Sequence, residues 1–250
     1  MNKHLQIYRV RTFSDILARV NSFTDSHSRA MLWFRGHRCE AWPLLPSAFR
    51  RGAVLESQTA IRFRERAGAY LSERPEREDC LSWLLLMQHY GLPTRLLDWS
   101  ESLLCAAYFA VSHEERREPA AIWALVPAKL SEVHGLGAVI PIHASRDVQL
   151  LAKAAFELNS VPIEAFALPL QPAHIDLRMA CQKSVFTVHG DRLDLAELDI
   201  AGKALMKLVI ENEDVDSIRS DVSVLGASRT TYFPDIFALA HELSDWVEIK

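Results

Sequence analysis

Two segments, C-L-S-W-L-L-L-M-Q-H-Y-G at 80–91 and S-E-S-L-L-C-A-A-Y-F-A-V-S-H at 100–113, are apolar on almost every side. A helix that is hydrophobic all round has to be buried. Two of them so close in the chain require a domain built around them. The 250 residues, 49% hydrophobic, are enough to form that core. Gly91 and Pro93 stop the first helix, and Ser100 is a suitable N-cap for the second. The linking L-P-T-R-L-L-D-W reads as a loop.

The rest of the chain supplies the covering elements. Ser14 can cap a first helix with Ile16, Leu17 and Val20 on its buried side. M-L-W-F at 31–34 reads as a short strand ended by Gly36. A-W-P-L-L-P-S-A-F-R is too broken by proline for a helix interior and packs through Trp42 and Leu44. Helical spacing runs from about Ser57 to Glu73. Beyond residue 120 come the strand A-A-I-W-A-L-V-P, a short helix opened by Pro127 and a helix from Ser145 to Leu158. These are followed by I-E-A-F-A-L-P-L, V-F-T-V-H closed by Gly190, and A-L-M-K-L-V-I. Two helices, Val215 to Leu225 and from Pro234 onward, end the chain. With helices early and strands late, the class is α+β with a mixed, largely antiparallel sheet. No linker divides residues 1–250, so a single domain is expected.

Composition removes several function classes. The net charge of -4 gives no overall attraction to a polyanion, so any nucleic-acid contact has to be local. No apolar run spans a bilayer and M-N-K-H-L-Q-I-Y lacks a signal peptide's apolar block, which points to the cytoplasm and away from membranes. Cys39, Cys80, Cys105 and Cys181 are too scattered for a zinc ribbon or disulfide framework. No metal site is expected. Cys181 with His189 or His174 is the one pairing with nucleophile potential, without local sequence to activate the thiol. Trp33, Trp83, Trp99 and Trp123 read as packing, and the E-x-E pair Glu211 and Glu213 as a solvated strand end. There is no glycine-rich phosphate loop, no H-E-x-x-H and no G-x-S-x-G.

Chemistry is concentrated in M-Q-H-Y-G-L-P-T-R-L-L-D-W-S, where Gln88, His89, Tyr90, Thr94, Arg95, Asp98 and Ser100 fall together. A structural account is available: Arg95 and Asp98 as an ion pair, Ser100 as a cap, His89 at a helix C-terminus, and Tyr90 buried with one hydrogen bond. The functional account is that an imidazole, a phenol, a guanidinium and a carboxylate held between rigid elements make a binding site.

F-R-G at 34–36, W-P-L-L-P-S-A-F-R, Q-H-Y-G-L-P-T-R-L-L-D-W-S and A-A-Y-F-A together resemble the FRG domain family. R-M-A-C-Q-K-S-V-F-T-V-H and L-G-A-S-R-T-T-Y-F-P-D-I extend the resemblance over about residues 30–240. Ser184 stands where that family usually has glycine. A more distant similarity is to ADP-ribosyltransferases that use NAD. These carry an arginine, often followed by glycine, at the end of an early strand, a strand leading into a helix with A-x-x-F-A, and a later strand with a catalytic glutamate. L-W-F-R-G and L-D-W-S-E-S-L-L-C-A-A-Y-F-A are similar to the first two elements, and Gln182 stands at the third.

That similarity implies an ADP-ribosyltransferase-like fold and an NAD-consuming enzyme that transfers ADP-ribose to a macromolecule or to water. Arg35, Gly36, Tyr90, Thr94, Arg95 and Ser100 would hold the nucleotide, and Gln182, Asp98 and His89 would act on it. It also implies a bacterial toxin or anti-phage effector, with a macromolecular acceptor and a neutralising partner. The rival reading is a non-catalytic module that binds a nucleotide, RNA or protein through the same cluster. A metal-dependent nuclease lacks a carboxylate cluster.

Overall fold

The computed structural model describes residues 5–51, 53–113, 118–157, 167–198 and 201–248. Seven strands make one sheet: β1 (Gln6–Val10), β2 (Trp33–His37), β3 (Leu96–Ser100), β4 (Ala120–Leu125), β5 (Ala167–Leu170), β6 (Ser184–His189) and β7 (Leu205–Ile210). Their spatial order is β1-β7-β4-β2-β3-β6-β5. Of these strand pairs only β1 and β7 run parallel, so the sheet is mixed and largely antiparallel. Twelve α-helices among the described residues surround it: α1 (Phe13–Ser26), α2 (Ser47–Arg51), α3 (Ala53–Ala67), α4 (Cys80–His89), α5 (Leu103–Val111), α6 (Pro127–Val133), α7 (Arg146–Lys153), α8 (Leu177–Cys181), α9 (Ala201–Ala204), α10 (Val215–Val224), α11 (Arg229–Tyr232) and α12 (Ile236–Glu248). None of the described helices is long and apolar enough to cross a membrane.

Strand alternation divides the core into three parts. On one face, Phe34, Ile122, Met206 and Leu208 pack with Ile16 of α1, Ala106 and Ala110 of α5, and Ile218 of α10. Further along the same face, Leu96, Leu168, Phe186 and Val188 pack with Ala60 of α3, Leu84 of α4 and Val148 of α7. Trp33, Trp99, Trp123, Leu125 and Val185 point to the opposite face, against Leu130 of α6 and Ala204 of α9. All four tryptophans expected to be packing are buried.

The two cores that share a face stop short of each other at a seam between β2 and β3. These neighbours pair only at Phe34↔Ser100, whereas β2 and β4 pair from Trp33 to His37, and β3 and β6 from Leu96 to Ser100. Small and polar residues, Gly36, Asp98, Ser100 and Ser184, occupy the seam where apolar ones would have joined the cores.

Gly36 has a packing reason that the sequence reading assigned to a ligand. A Cβ there would lie 2.0 Å from the Ala106 carbonyl oxygen and 2.7 Å from the Ala110 nitrogen. Both atoms are helix backbone, so neither can move aside cheaply. The alanines of α5 and the glycine of β2 together let helix and strand approach backbone to backbone. The strand does not end at Gly36 but continues to His37.

Other boundaries also differ. The first helix is capped by Thr12, not Ser14: the Thr12 side chain accepts from the Asp15 amide, and the Asp15 carboxylate accepts from the Thr12 amide. Leu17 is exposed. The helix expected over Ser57 to Glu73 runs Ala53–Ala67 and stops where Gly68 lies against Arg74. The supposed loop Leu96–Ser100 is a central strand, which moves the α5 cap to Ser102. With β1 also unforeseen, three strands precede residue 113, and strands are not confined to the second half. The helix expected to reach Leu158 is α7 followed by a 3₁₀ turn at Ala154–Phe156. Leu158 and the 163–166 part of the segment I-E-A-F-A-L-P-L lie outside the described residues.

Gly36→Ala is expected to destabilise the protein by about 2–3 kcal/mol, the cost of overpacking against unyielding backbone. Gly135→Ala, at a positive φ with open space around it, should cost about 1 kcal/mol through backbone strain alone. Urea denaturation of the two variants checks the order.

Candidate functional site

The seam opens into a cleft of about 460 Å³, within the size range of small-molecule sites. Its lining includes Arg35, Gly36, Asp98, Ser100 and Gln182, so five of the nine residues proposed from sequence come together. They arrive from three neighbouring strands. β2 carries Arg35, β3 carries Asp98 and Ser100, and the turn entering β6 carries Gln182.

Arg35 stands where the β2–β3 ladder fails. Its Nη1 donates to the Asp98 carbonyl at 2.5 Å, and its Nε donates to Nε2 of His37 at 2.9 Å. A side chain thereby bonds a β3 backbone carbonyl beside the broken ladder. The same Nη1 lies 3.6 Å from the Asp98 carboxylate, whose side chain is 53% exposed. Burial pushes the Arg35 pKa down, and Asp98 opposes that shift.

Asp98 is held from the other side by a residue outside the proposed set. Gln88 Nε2 donates to Asp98 Oδ2 at 2.8 Å. The buried Thr94 hydroxyl donates to Gln88 Oε1, which fixes which end of the amide faces Asp98. Thr94 therefore acts through Gln88 and does not line the cleft. Asp98 is the only carboxylate among the described residues that line the cleft.

Gln182 and Ser100 tie the far end together. Ser100 Oγ donates to the Gln182 carbonyl at 2.6 Å, and Gln182 Nε2 donates to the Tyr232 carbonyl of α11 at 2.9 Å. The left-handed residue of this turn is Lys183, with φ 48, and not Ser184, which already pairs with Ser100. Serine is therefore accommodated where glycine was expected. Cys105 also lines the cleft, but burial pushes its thiol up to about 11, so it is a packing group and not a nucleophile.

Three proposed residues belong elsewhere. Arg95 is buried and bound to Glu56, which the sequence reading missed. Its Nε lies 3.1 Å and its Nη2 2.8 Å from Glu56 Oε2, its amide donates to Glu56 Oε1, and its Nη1 donates to the Leu151 carbonyl. It joins β3 to α3 and α7 and cannot reach a ligand. His89 Nδ1 lies 2.9 Å from Asp176, the N-cap of α8, so His89 positions α8 from outside the cleft. Tyr90 is 60% exposed and packs edge-on against His89. Arg38 and Arg178, outside the proposed set, also line the cleft.

Two other clusters carry nucleophile types without nucleophile geometry. His143 Nε2 lies 3.0 Å from Asp79 and 3.4 Å from Ser82, so one nitrogen faces both partners and the ring cannot relay a proton between them. The cluster caps α4. His189 bonds Thr187 and His174 bonds the Ser184 carbonyl, neither toward Cys181. Among the described residues no group of three or more His, Cys, Asp or Glu is placed to hold a metal.

Two experiments test this account. Glu56→Ala should cost about 3–5 kcal/mol in urea denaturation, because it strands a buried guanidinium, while replacing Glu56 and Arg95 together by methionine should recover most of the loss. The second concerns pH. His37 is lowered to about 2 by burial, reinforced by Arg35, Arg50 and Lys207. His189 is lowered to about 3 by burial, opposed by the Leu193 backbone and reinforced by Arg95 and Arg35. The unfolded imidazoles take up protons near 6.5 while the folded ones do not, so the unfolded state binds more protons below that pH. Stability should be full above pH 6.5 and fall on acidification by up to about 1.4 kcal/mol per pH unit per histidine. Thermal melts from neutral pH to about 5 should show a shallower fall in His189→Gln, which can still bond Thr187.

No curated protein and no solved structure matches the chain. Residues 30–119 match the family model of the FRG domain. The matched stretch contains β2, α4, β3 and α5, so it includes Arg35, Gly36, Gln88, Asp98 and Ser100 and ends before Gln182. Over that stretch the chain is supported as FRG-like, and the F-R-G triplet at 34–36 lies within β2, where Arg35 bridges the seam.

Proposed function

We propose that this cleft binds NAD and that the protein is an ADP-ribosyltransferase-like enzyme, passing ADP-ribose to a macromolecule or to water. One observation carries the reading: the broken ladder puts Arg35, Asp98 and Gln182, from three chain-distant elements, around one cleft. Leu96–Ser100 is a strand that leads into α5, in the strand-to-helix order of the second transferase element. Arg35 takes the pyrophosphate, as a planar donor fork suits phosphate oxygens. Asp98 faces the sugar as its bond to nicotinamide breaks and positive charge develops there, and Gln182 holds a ribose hydroxyl. Gln88 positions Asp98. The toxin or defence role and the neutralising partner come with the transferase resemblance. No metal has a part in this reading.

The second reading, a binding module without chemistry, rests on Gln182. It brings no charge where a glutamate would, and its amide nitrogen is already bonded to Tyr232.

Incubation of the purified protein with NAD is expected to release nicotinamide. Asp98→Asn should lower turnover by about 10²–10³ with NAD affinity largely kept. Arg35→Ala should weaken NAD binding by about tenfold or more, because it removes a charge-assisted hydrogen-bond donor. NAD binding without nicotinamide release would leave the binding module. A folded protein that neither binds nor consumes NAD would overturn both nucleotide readings.

A further inference from the structure

We infer that a single-stranded nucleic acid lies across the mouth of the cleft from one end to the other and, on the transferase reading above, that this strand is the acceptor. Arg35, Arg38 and Arg178 all line the cleft, and the strand register sets Arg38 and Arg178 toward opposite ends of it. The row Phe34, Ser100 and Ser184 crosses three strands at one end. α8, with Arg178, enters β6 at that row, where the Gln182 carbonyl meets Ser100. Arg38 follows His37, the last residue of β2, and so lies past the end of that strand away from this row.

Both end arginines are presented in the same way. The Arg38 guanidinium lies 5.0 Å from the Trp42 ring centroid, and that of Arg178 lies 4.6 Å from the Phe233 centroid. Neither is in an ion pair with a carboxylate among the described residues. An arginine laid over an aromatic ring keeps its donors and its other face available, and that face is a platform for a base. The two phosphates of one dinucleotide are adjacent and satisfy Arg35, but they cannot also reach two cations at opposite ends. A second ligand that meets both end arginines has phosphates repeated along a chain. Stacking platforms beside a line of cations are how single strands are held, and this local set of arginines lies in a chain of net charge -4. An acidic peptide would supply anions but has no use for the two stacked planes.

In the transfer step, an oxygen or ring nitrogen of the strand forms a bond to C1′ of the nicotinamide ribose as the C1′–N bond breaks. Nicotinamide leaves neutral with the bonding pair, and the nucleophile's proton passes to solvent.

The test measures binding and transfer separately. Fluorescence anisotropy of a short labelled single-stranded DNA, and of RNA of the same sequence, should show binding that weakens with salt. Arg38→Gln with Arg178→Gln should lower affinity about tenfold or more and reduce the salt slope by about 1.4, or 0.7 for each phosphate that is no longer neutralised. Arg62→Gln with Arg66→Gln, on the exposed side of α3, should leave both unchanged, and thermal melts confirm that each variant is folded. Phosphate-labelled NAD should then label the oligonucleotide. NAD consumption with no oligonucleotide binding overturns this inference and leaves the transferase reading intact. Salt-dependent binding that needs Arg38 and Arg178, without NAD consumption, upholds the strand site and removes the transferase reading. Binding that the double variant does not weaken overturns the inference.

Discussion

The hydrogen bond from Arg35 to the Asp98 carbonyl is the interaction on which the cleft depends. A seven-stranded sheet that paired fully along β2 and β3 would be continuous, with its two same-face cores fused and no cavity between them. Here the ladder holds at Phe34↔Ser100 and then opens. Backbone groups exposed by such an opening need partners. The guanidinium supplies one, bridging the gap at its own length instead of at ladder spacing. The group that stabilises the opening is also a cation on its floor, so the opening and that charge share one cause.

Much of the remaining structure follows from keeping that seam open at a fixed width. On one side α5 is pressed onto β2 by Gly36 and the alanines facing it. On the other, the buried Arg95–Glu56 pair ties β3 to α3, and Thr94 and Gln88 set the direction of Asp98. Arg35 and Arg95 differ in what surrounds them. Arg95 meets a buried carboxylate, which neutralises it, whereas Arg35 meets a backbone carbonyl and a half-exposed carboxylate at 3.6 Å. Only the second arrangement leaves attraction for an incoming anion.

The sequence made the apolar helices and the late strands legible, because both are set by runs of residues that agree with one another. α4, β4, β6, β7 and α10 fall close to where periodicity and punctuation place them. β3 was not legible. L-L-D-W-S is five residues long, follows Thr94 and Arg95, and contains no β-branched residue, so nothing local distinguishes a central strand from a loop. Its strand character comes from β6 alongside, a pairing between residues more than eighty positions apart. The same kind of separation hid Glu56. The site was legible as a cluster of polar types but not in its division of labour: His89, Tyr90, Thr94 and Arg95 share a segment with Asp98, and strand and helix geometry send them to different surroundings.

The position of Gln182 bears on chemistry as much as on binding. Its backbone carbonyl and its side-chain amide nitrogen are both bonded, to Ser100 and Tyr232, so the residue holds β3, α8 and α11 in register at the end of the cleft. A glutamate at this position could not donate to the Tyr232 carbonyl, and its charge would repel that oxygen. The glutamine therefore fits a site whose negative charge comes from elsewhere. Asp98, on the adjacent β3, is the one carboxylate of the described lining, and Gln88 and Arg35 hold it in place. If the sugar of a bound dinucleotide lies between Asp98 and Gln182, the charge that a single glutamate would supply has moved to the neighbouring strand. The amide is then free to act as a structural tie and a hydroxyl holder.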